Sequence, residues 1–403
     1  MDGNPELAGN DWHTKINRLS TLIAACGNGA AGVLVFCLMP VLVGSFADHL
    51  GLDNSQIGLL SSVYFGCYTL TTLSSILWIR RLNWRYISIF GLLLTICGLV
   101  FILQNDSYRG VLIGMGIAGF GAAAAYVLSI CMVSDMDDPD RKFAIKLIPE
   151  QLVPAILLAI LPTWVIAPYG LSGLLIVLAI FFAVITGFAL WIPVSDSFER
   201  SAEPHSGKEK STGPVFFALI ALLLYFGGFA GLWTFLERIA VEHQLDSAVT
   251  GIILALSLIA TGVSPVIAAI IGDRLGRNLP MLSGTSIGLV TLFLLAGDLT
   301  ALRFGIVAII MPGAVYVVIA YFMGLIAETD TSGRFAVLMS AALSFGATLG
   351  PAIFGYIKTT WGDTMSYCFV ASMMMAGQLM AFWLNRKLST TTEQKQTSEV
   401  VTL

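Results

Sequence analysis

The heptapeptide LDNSQIG at residues 52–58 returns as LDSAVTG at residues 245–251, an offset of 193 positions. The same offset, with no gap, lays IRRLNW (79–84) on GDRLGR (272–277). Further along, RKFAI (141–145) faces GRFAV (333–337), and PAI (154–156) faces PAI (351–353). Each match is short, but four in the same order describe a duplicated unit. The surrounding apolar sequence says what that unit is.

Of 403 residues, 57% are hydrophobic and only 11% charged, against about 25% charged in a soluble globular chain. Apolar runs long enough to cross a hydrocarbon core, about 20 residues of helix, recur with short polar breaks. Six fall in the first copy: 20–46, 55–77, 86–104, 108–132, 143–167 and 171–194. Six more fall in the second: 214–241, 248–271, 279–297, 302–326, 335–358 and 365–385. Backbone polar groups in lipid must be paired within the protein, and runs this long exceed a barrel strand of about 10 residues. The expected fold is therefore an all-α integral membrane protein of twelve transmembrane helices, arranged as two parallel-repeat six-helix bundles.

Charge placement orients it. With the N-terminus in the cytoplasm, only Arg109, Arg238, Arg303 and Lys358 of the 21 lysines and arginines fall on the outer side. The other seventeen collect on the cytoplasmic side, a strong positive-inside bias. Both termini are thus expected in the cytoplasm, in a multi-pass protein of the cell's inner membrane. Trp78, Trp84, Trp164, Trp191, Trp361 and Trp383 fall near span ends, where indole rings prefer the headgroup level. The first 17 residues lack the basic start and small-residue cleavage site of a signal peptide. All six cysteines lie in apolar spans without a CxxC pair, which predicts free thiols and no zinc site.

A polar stretch, SDSFERSAEPHSGKEKSTG (195–213), divides the halves and reads as a cytoplasmic linker. The expected domains are 1–194 and 214–403. An even number of spans separates the copies, so both sit the same way up. Parallel repeats of this kind place a solute site between the halves and work by rocking one half against the other.

On these residues the chain resembles the major facilitator superfamily of transporters over essentially its whole length. GDRLGR is similar to that family's cytoplasmic-loop motif, in which acidic and basic groups latch the cytoplasmic gate. The resemblance implies gating roles for Asp273, Arg274, Gly276 and Arg277; read alone, the segment is a tight, charged, solvated turn. The first half departs from the motif, with Arg80 in the acid's place, Asn83 for a glycine and Trp84 for an arginine. Only Arg81 matches, and it joins the gating set.

An ionisable residue inside a span is a functional candidate because lipid makes charge expensive. Span 5 holds Lys146, Pro149, Glu150 and Gln151, with Pro154 a turn on. Lys146 and Glu150 lie one helical turn apart on one face. The repeat has Leu338 and Ala342 there, so the fold itself needs no charge at these positions. Glu150 is read as a proton-binding carboxylate modulated by Lys146; the alternative is a buried pair that only fixes packing. Glu237 and Arg238 near the outer end of span 7 form an outer gate or snorkel to the interface. The family resemblance lines the path with spans 1, 4, 7 and 10. It raises Asn28, Tyr126, Tyr225, Trp233 and Tyr316 as cavity residues, joined by Gln151, with simple packing as the other reading.

The four histidines, His13, His49, His205 and His243, fall in tails or loops, so no catalytic or metal constellation is expected. No Walker-type loop is present. The function these observations predict is secondary active transport of a small organic solute, coupled to protons, by a monomer without cofactors or nucleic-acid partners. The alternative is a receptor or scaffold that binds a ligand without net transport.

Overall fold

Asp53 and Asp246, the acids of the two opening heptapeptides, are helix N-caps. Asp53 accepts from the Gln56 amide at 2.8 Å while Gln56 Oε1 accepts from the Asp53 amide at 3.0 Å. Asp246 accepts from the amides of Ala248 and Val249 at 2.9 and 3.0 Å. These bonds satisfy amide groups that the first turn of a helix leaves open. Just upstream, Gly51 (φ 66°) and Gln244 (φ 56°) are left-handed. The Leu52 and Leu245 amides then close back on Ala47 and Ala240 at 3.2 and 3.0 Å, a helix-ending turn. Each heptapeptide is a stop and a start between antiparallel helices.

The computed structural model describes residues 12, 14–194, 213–272, 274–329 and 336–401, with 140, 329, 336, 337 and those beyond 387 as backbone only. Its long helices are α1 (Leu19–Leu50), α2 (Asn54–Trp78), α3 (Trp84–Leu103), α4 (Tyr108–Ser134), α5 (Pro139–Leu161) and α6 (Ala167–Phe188). The second set is α7 (Gly213–Glu242), α8 (Ser247–Ile271), α9 (Asn278–Leu292), α10 (Ala301–Thr329), α11 (Ala336–Trp361) and α12 (Asp363–Val401). Among the described residues, ten stretches are long and apolar enough to cross a membrane. One of them, Arg141–Trp191, runs through nearly all of α5 and the whole of α6. The chain turns there through a π segment, Pro162–Ile166, and a break at Gly170 (φ 59°). Helix α2 is not among the ten because it is rich in Ser and Thr. Its hydroxyls are satisfied within the helix: Thr69, Thr71 and Thr72 donate to the carbonyls of Phe65, Cys67 and Tyr68 at 2.7–3.1 Å.

Helix neighbours obey the repeat. In the first half α1 packs on α4, α5 and α6, α2 on α4, and α3 on α4 and α6. In the second, α7 packs on α10, α11 and α12, α8 on α10, and α9 on α10 and α12. The halves meet through α2 against α11 and α5 against α8, pairs that the repeat interconverts. This is the parallel-repeat architecture expected from sequence.

Contacts across the seam are graded along the membrane normal. Ser55 donates through its amide to Thr359 Oγ1 at 3.0 Å, and the Ala352 amide donates to Ser62 Oγ at 3.1 Å. Arg238 pairs with Asp48 at 2.9 Å. Nearer the middle, Thr69 meets Thr348 at 3.4 Å and Thr261 donates to Gln151 at 3.1 Å. Among the described residues, every cross-half hydrogen bond lies between the face opposite the termini and the helix middles.

Two expectations change. Trp84 is fully buried and donates to the Ile79 carbonyl at 2.8 Å, so it plugs the first bundle rather than anchoring at the interface. Trp164, Trp191, Trp361 and Trp383 do face outward. Gly213 already belongs to α7, and the remainder of the expected linker, 195–212, lies outside the described residues.

Candidate functional site

Helix α5 starts with Pro139 at its first turn, where a missing N–H costs nothing, and carries Pro149 and Pro154 inside. Between them, Lys146 Nζ donates to Glu150 Oε1, each residue only 2% exposed. The ammonium also sits 4.7 Å from the Tyr126 ring centroid of α4, a cation–π contact. Helix α1 makes room for the pair at Gly29. A Cβ there would overlap the Glu150 carboxylate and stand 2.9 Å from both Lys146 Cε and Ser129 Oγ. Ser129 Oγ is buried and has no hydrogen-bond partner. Charge, hydroxyl and ring therefore converge at the centre of the first bundle's inner face.

An aromatic file continues from this cluster into the second half. Tyr126 contacts Tyr68 at 6.3 Å between centroids, Tyr68 contacts Tyr64 at 6.2 Å, and Tyr64 leads to Phe65 at 5.1 Å. Phe36 of α1 bridges Phe65 at 5.5 Å and Phe226 of α7 at 5.9 Å. Phe229 follows, edge-on to Tyr316 of α10 at 6.0 Å and 6.2 Å from Trp233. Trp233 Nε1 donates across the seam to the Phe36 carbonyl at 3.1 Å. Of the residues expected in a cavity, Tyr126, Trp233, Tyr316 and Gln151 thus lie at or beside the seam.

Asn28 and Tyr225 do not join them. Asn28 donates to Ala24 and accepts from Ser88 of α3 at 2.8 Å, wholly within the first bundle. Tyr225, 197 positions on, meets Thr285 of α9 hydroxyl to hydroxyl at 3.2 Å, and Thr285 donates its proton to Gln378 of α12 at 2.9 Å. Ser88 and Thr285 are separated by the same 197 positions. These are repeat-related struts that tie α1 to α3 and α7 to α9. Ser88→Ala leaves the buried Asn28 oxygen without that donor and is expected to cost about 1–3 kcal/mol. A lowered melting temperature with unchanged solute affinity is the outcome to look for; a shifted affinity would place Asn28 at the path after all.

At the terminal face the expected latch takes a different form. Arg81 is exposed, whereas Arg80 makes a two-pronged bond to Asp135 at the end of α4, at 2.6 and 3.0 Å. In the second half Arg277 pairs with Glu328 near the end of α10 at 2.5 Å. Asp135 and Glu328 are 193 positions apart, so both halves clasp the loop after their second helix to the end of their fourth. The residue that reaches Asp135 is Arg80, the neighbour of the Arg81 that the motif singles out, because adjacent loop residues point in different directions. Arg274 is exposed, Gly276 supplies a left-handed turn (φ 63°), and Asp273 lies outside the described residues. On the opposite face, Glu237 presses on α1 where a Cβ at Gly44 would collide with its carboxylate.

A family profile described as Major Facilitator Superfamily matches residues 24–238 and 218–402. The chain belongs to the Major Facilitator Superfamily. As a superfamily member it is a membrane transporter, not an enzyme. No curated protein matches the sequence. Among solved structures, a mutant form of the nucleoside transporter NupG is similar, with a TM-score of 0.72 and 15% identity over 92% of this chain and 99% of that one. A second structure of NupG gives a TM-score of 0.67 and 16% identity over 90% and 98%. At these identities the likeness concerns the fold, and it covers both halves of this superfamily member.

Proposed function

We propose that this superfamily member is a proton-coupled secondary active transporter that moves a small organic solute by alternating access. The observation that carries the reading is the buried Lys146–Glu150 pair, set against Tyr126 and the partnerless Ser129 hydroxyl. A charge pair in a membrane bundle is costly and marks a solute or proton path. Protonating Glu150 neutralises it and frees the Lys146 ammonium to hold an electron-rich group of the solute, so proton and solute occupancy become linked. Residues 1–194 and 214–403 act as two bundles that rock about this site. The hydroxyl and amide bonds that join the halves on the face opposite the termini suit a state closed on that face, which the positive-inside bias puts outside the cytoplasm. The protein works as a monomer in the inner membrane. Arg80, Arg277 and Glu237 belong to the gates, while Gln151, Tyr126, Trp233 and Tyr316 border the solute.

Aromatic rings beside hydroxyl and ammonium groups suit a solute with a flat ring and polar substituents. The similar NupG structures make nucleosides the first solutes to test, ahead of aromatic organic acids. The test is uptake into proteoliposomes with and without an imposed proton gradient. Wild type is expected to concentrate solute only with the gradient. Glu150→Gln, fixed in the neutral form, is expected to retain solute counterflow and lose gradient-driven uptake. Binding without any flux would instead favour a receptor, and an unaltered pH response in Glu150→Gln would end the proposed proton role.

A further inference from the structure

A polar cavity lies on the seam toward the face opposite the termini, and neither Lys146 nor Glu150 lines it. It encloses about 230 Å³ and is walled by both halves: Ser45 and Asp48 of α1 and Pro162 of the π segment on one side, Glu237 of α7 and Thr250 of α8 on the other. Two oxygens in its wall are buried without a hydrogen-bond partner, Glu237 Oε2 and Thr250 Oγ1. Thr250 is only 3% exposed. Ser45 donates its hydroxyl proton to the Val41 carbonyl at 2.9 Å, which leaves its oxygen lone pairs available.

The charge balance of the cavity is one-sided. Of its two carboxylates, Asp48 is matched by Arg238 at 2.9 Å. Glu237 has no ion pair among the described residues, and no lysine or arginine lines the cavity. Buried polar atoms are ordinarily satisfied, and those that are not call for an unrecorded water or ion. Oxygen donors with one uncompensated negative charge suit a hard cation of charge one. At about 30 Å³ for each water, the volume admits a small ion with part of its hydration shell and excludes a metabolite.

We propose that this cavity binds a small monovalent cation, sodium foremost, through Glu237 and Thr250, with Ser45 and Asp48 completing the oxygen shell. Because the wall comes from both halves, an ion bound here ties them together on this face and favours the closed seam seen in the structure. The site stands apart from the solute site and needs neither solute nor proton gradient for its detection.

The experiment is a thermal-shift titration of the purified full-length protein in detergent. Sodium chloride is compared with lithium, potassium and choline chlorides at equal ionic strength. The apparent melting temperature is expected to rise saturably with sodium and to stay flat with choline. Thr250→Val, which removes one oxygen and keeps the side-chain shape, and Glu237→Gln are each expected to raise the half-saturating concentration at least about tenfold. Glu150→Gln is expected to leave the sodium response intact, which separates this site from the proposed proton site. No saturable shift with any alkali cation, or a shift that survives unchanged in both Thr250→Val and Glu237→Gln, would overturn the proposal. So would stabilisation by acid alone, because the cavity would then hold only a proton.

Discussion

Lys146→Met is expected to lower stability by about 3–5 kcal/mol, since it strands the Glu150 carboxylate in the bundle without its counter-charge. Adding Glu150→Leu is expected to recover that loss, because a buried ion pair and an apolar pair of similar volume are often of equal stability. The two readings of the pair part at uptake. If the charges only fix packing, the double variant should both fold and transport, as Leu338 and Ala342 serve at the matching place in the second half. If they bind proton and solute, it should fold as well as wild type and concentrate nothing. Melting curves with proteoliposome uptake on wild type, single and double variants give the answer. Restored transport in the double variant would relegate the pair to packing.

The second large effect concerns the final glycines of the opening heptapeptides. Gly58 lies against the backbone of Pro351 and Ala352 in α11. Gly251 lies against the Leu158 carbonyl of α5 and the ring of Pro162. A side chain at either site has no room unless the halves separate on the face opposite the termini. Gly58→Trp and Gly251→Trp are therefore expected to bias the protein against the closed seam. At about 1–3 kcal/mol for overpacking at each site, the conformational equilibrium moves about 5–150-fold per substitution. Uptake should fall accordingly while solute still binds from the opened face. Thiol labelling of Ser55→Cys, which lies at the seam beside Thr359, reports the opening as faster modification in the double tryptophan variant. Labelling as slow as in the parent would mean that the seam accommodates the rings by local repacking.

Most of the helical layout is legible in the sequence because lipid leaves the backbone little choice. The expected spans and the observed helices agree to within a few residues at most ends. Helix α12 departs, continuing to Val401 where the apolar run ends near 385; hydropathy reports what lipid requires, not where a helix stops in water. The charged pair in α5 is legible for the same reason, standing out against apolar neighbours. Its surroundings are not. Gly29 matters only through what its missing side chain leaves room for. Asn28 and Tyr225 sit on helices that are apolar all round, so no polar stripe tells which face turns toward the seam. Arg80 and Arg81 are neighbours in a short loop, and only the position of Asp135 at the end of α4 chooses between them.

The seam between the halves is fastened largely by hydroxyls, amides and glycine contacts, with Asp48 and Arg238 its one ion pair between described residues. Neutral fasteners feel no transmembrane voltage, and a charge pair at the rim crosses little of the field. Parting and rejoining these particular contacts moves little charge through the field. Membrane potential then bears on a charged cargo, on the proposed proton or on an ion beside Glu237 more than on these fasteners.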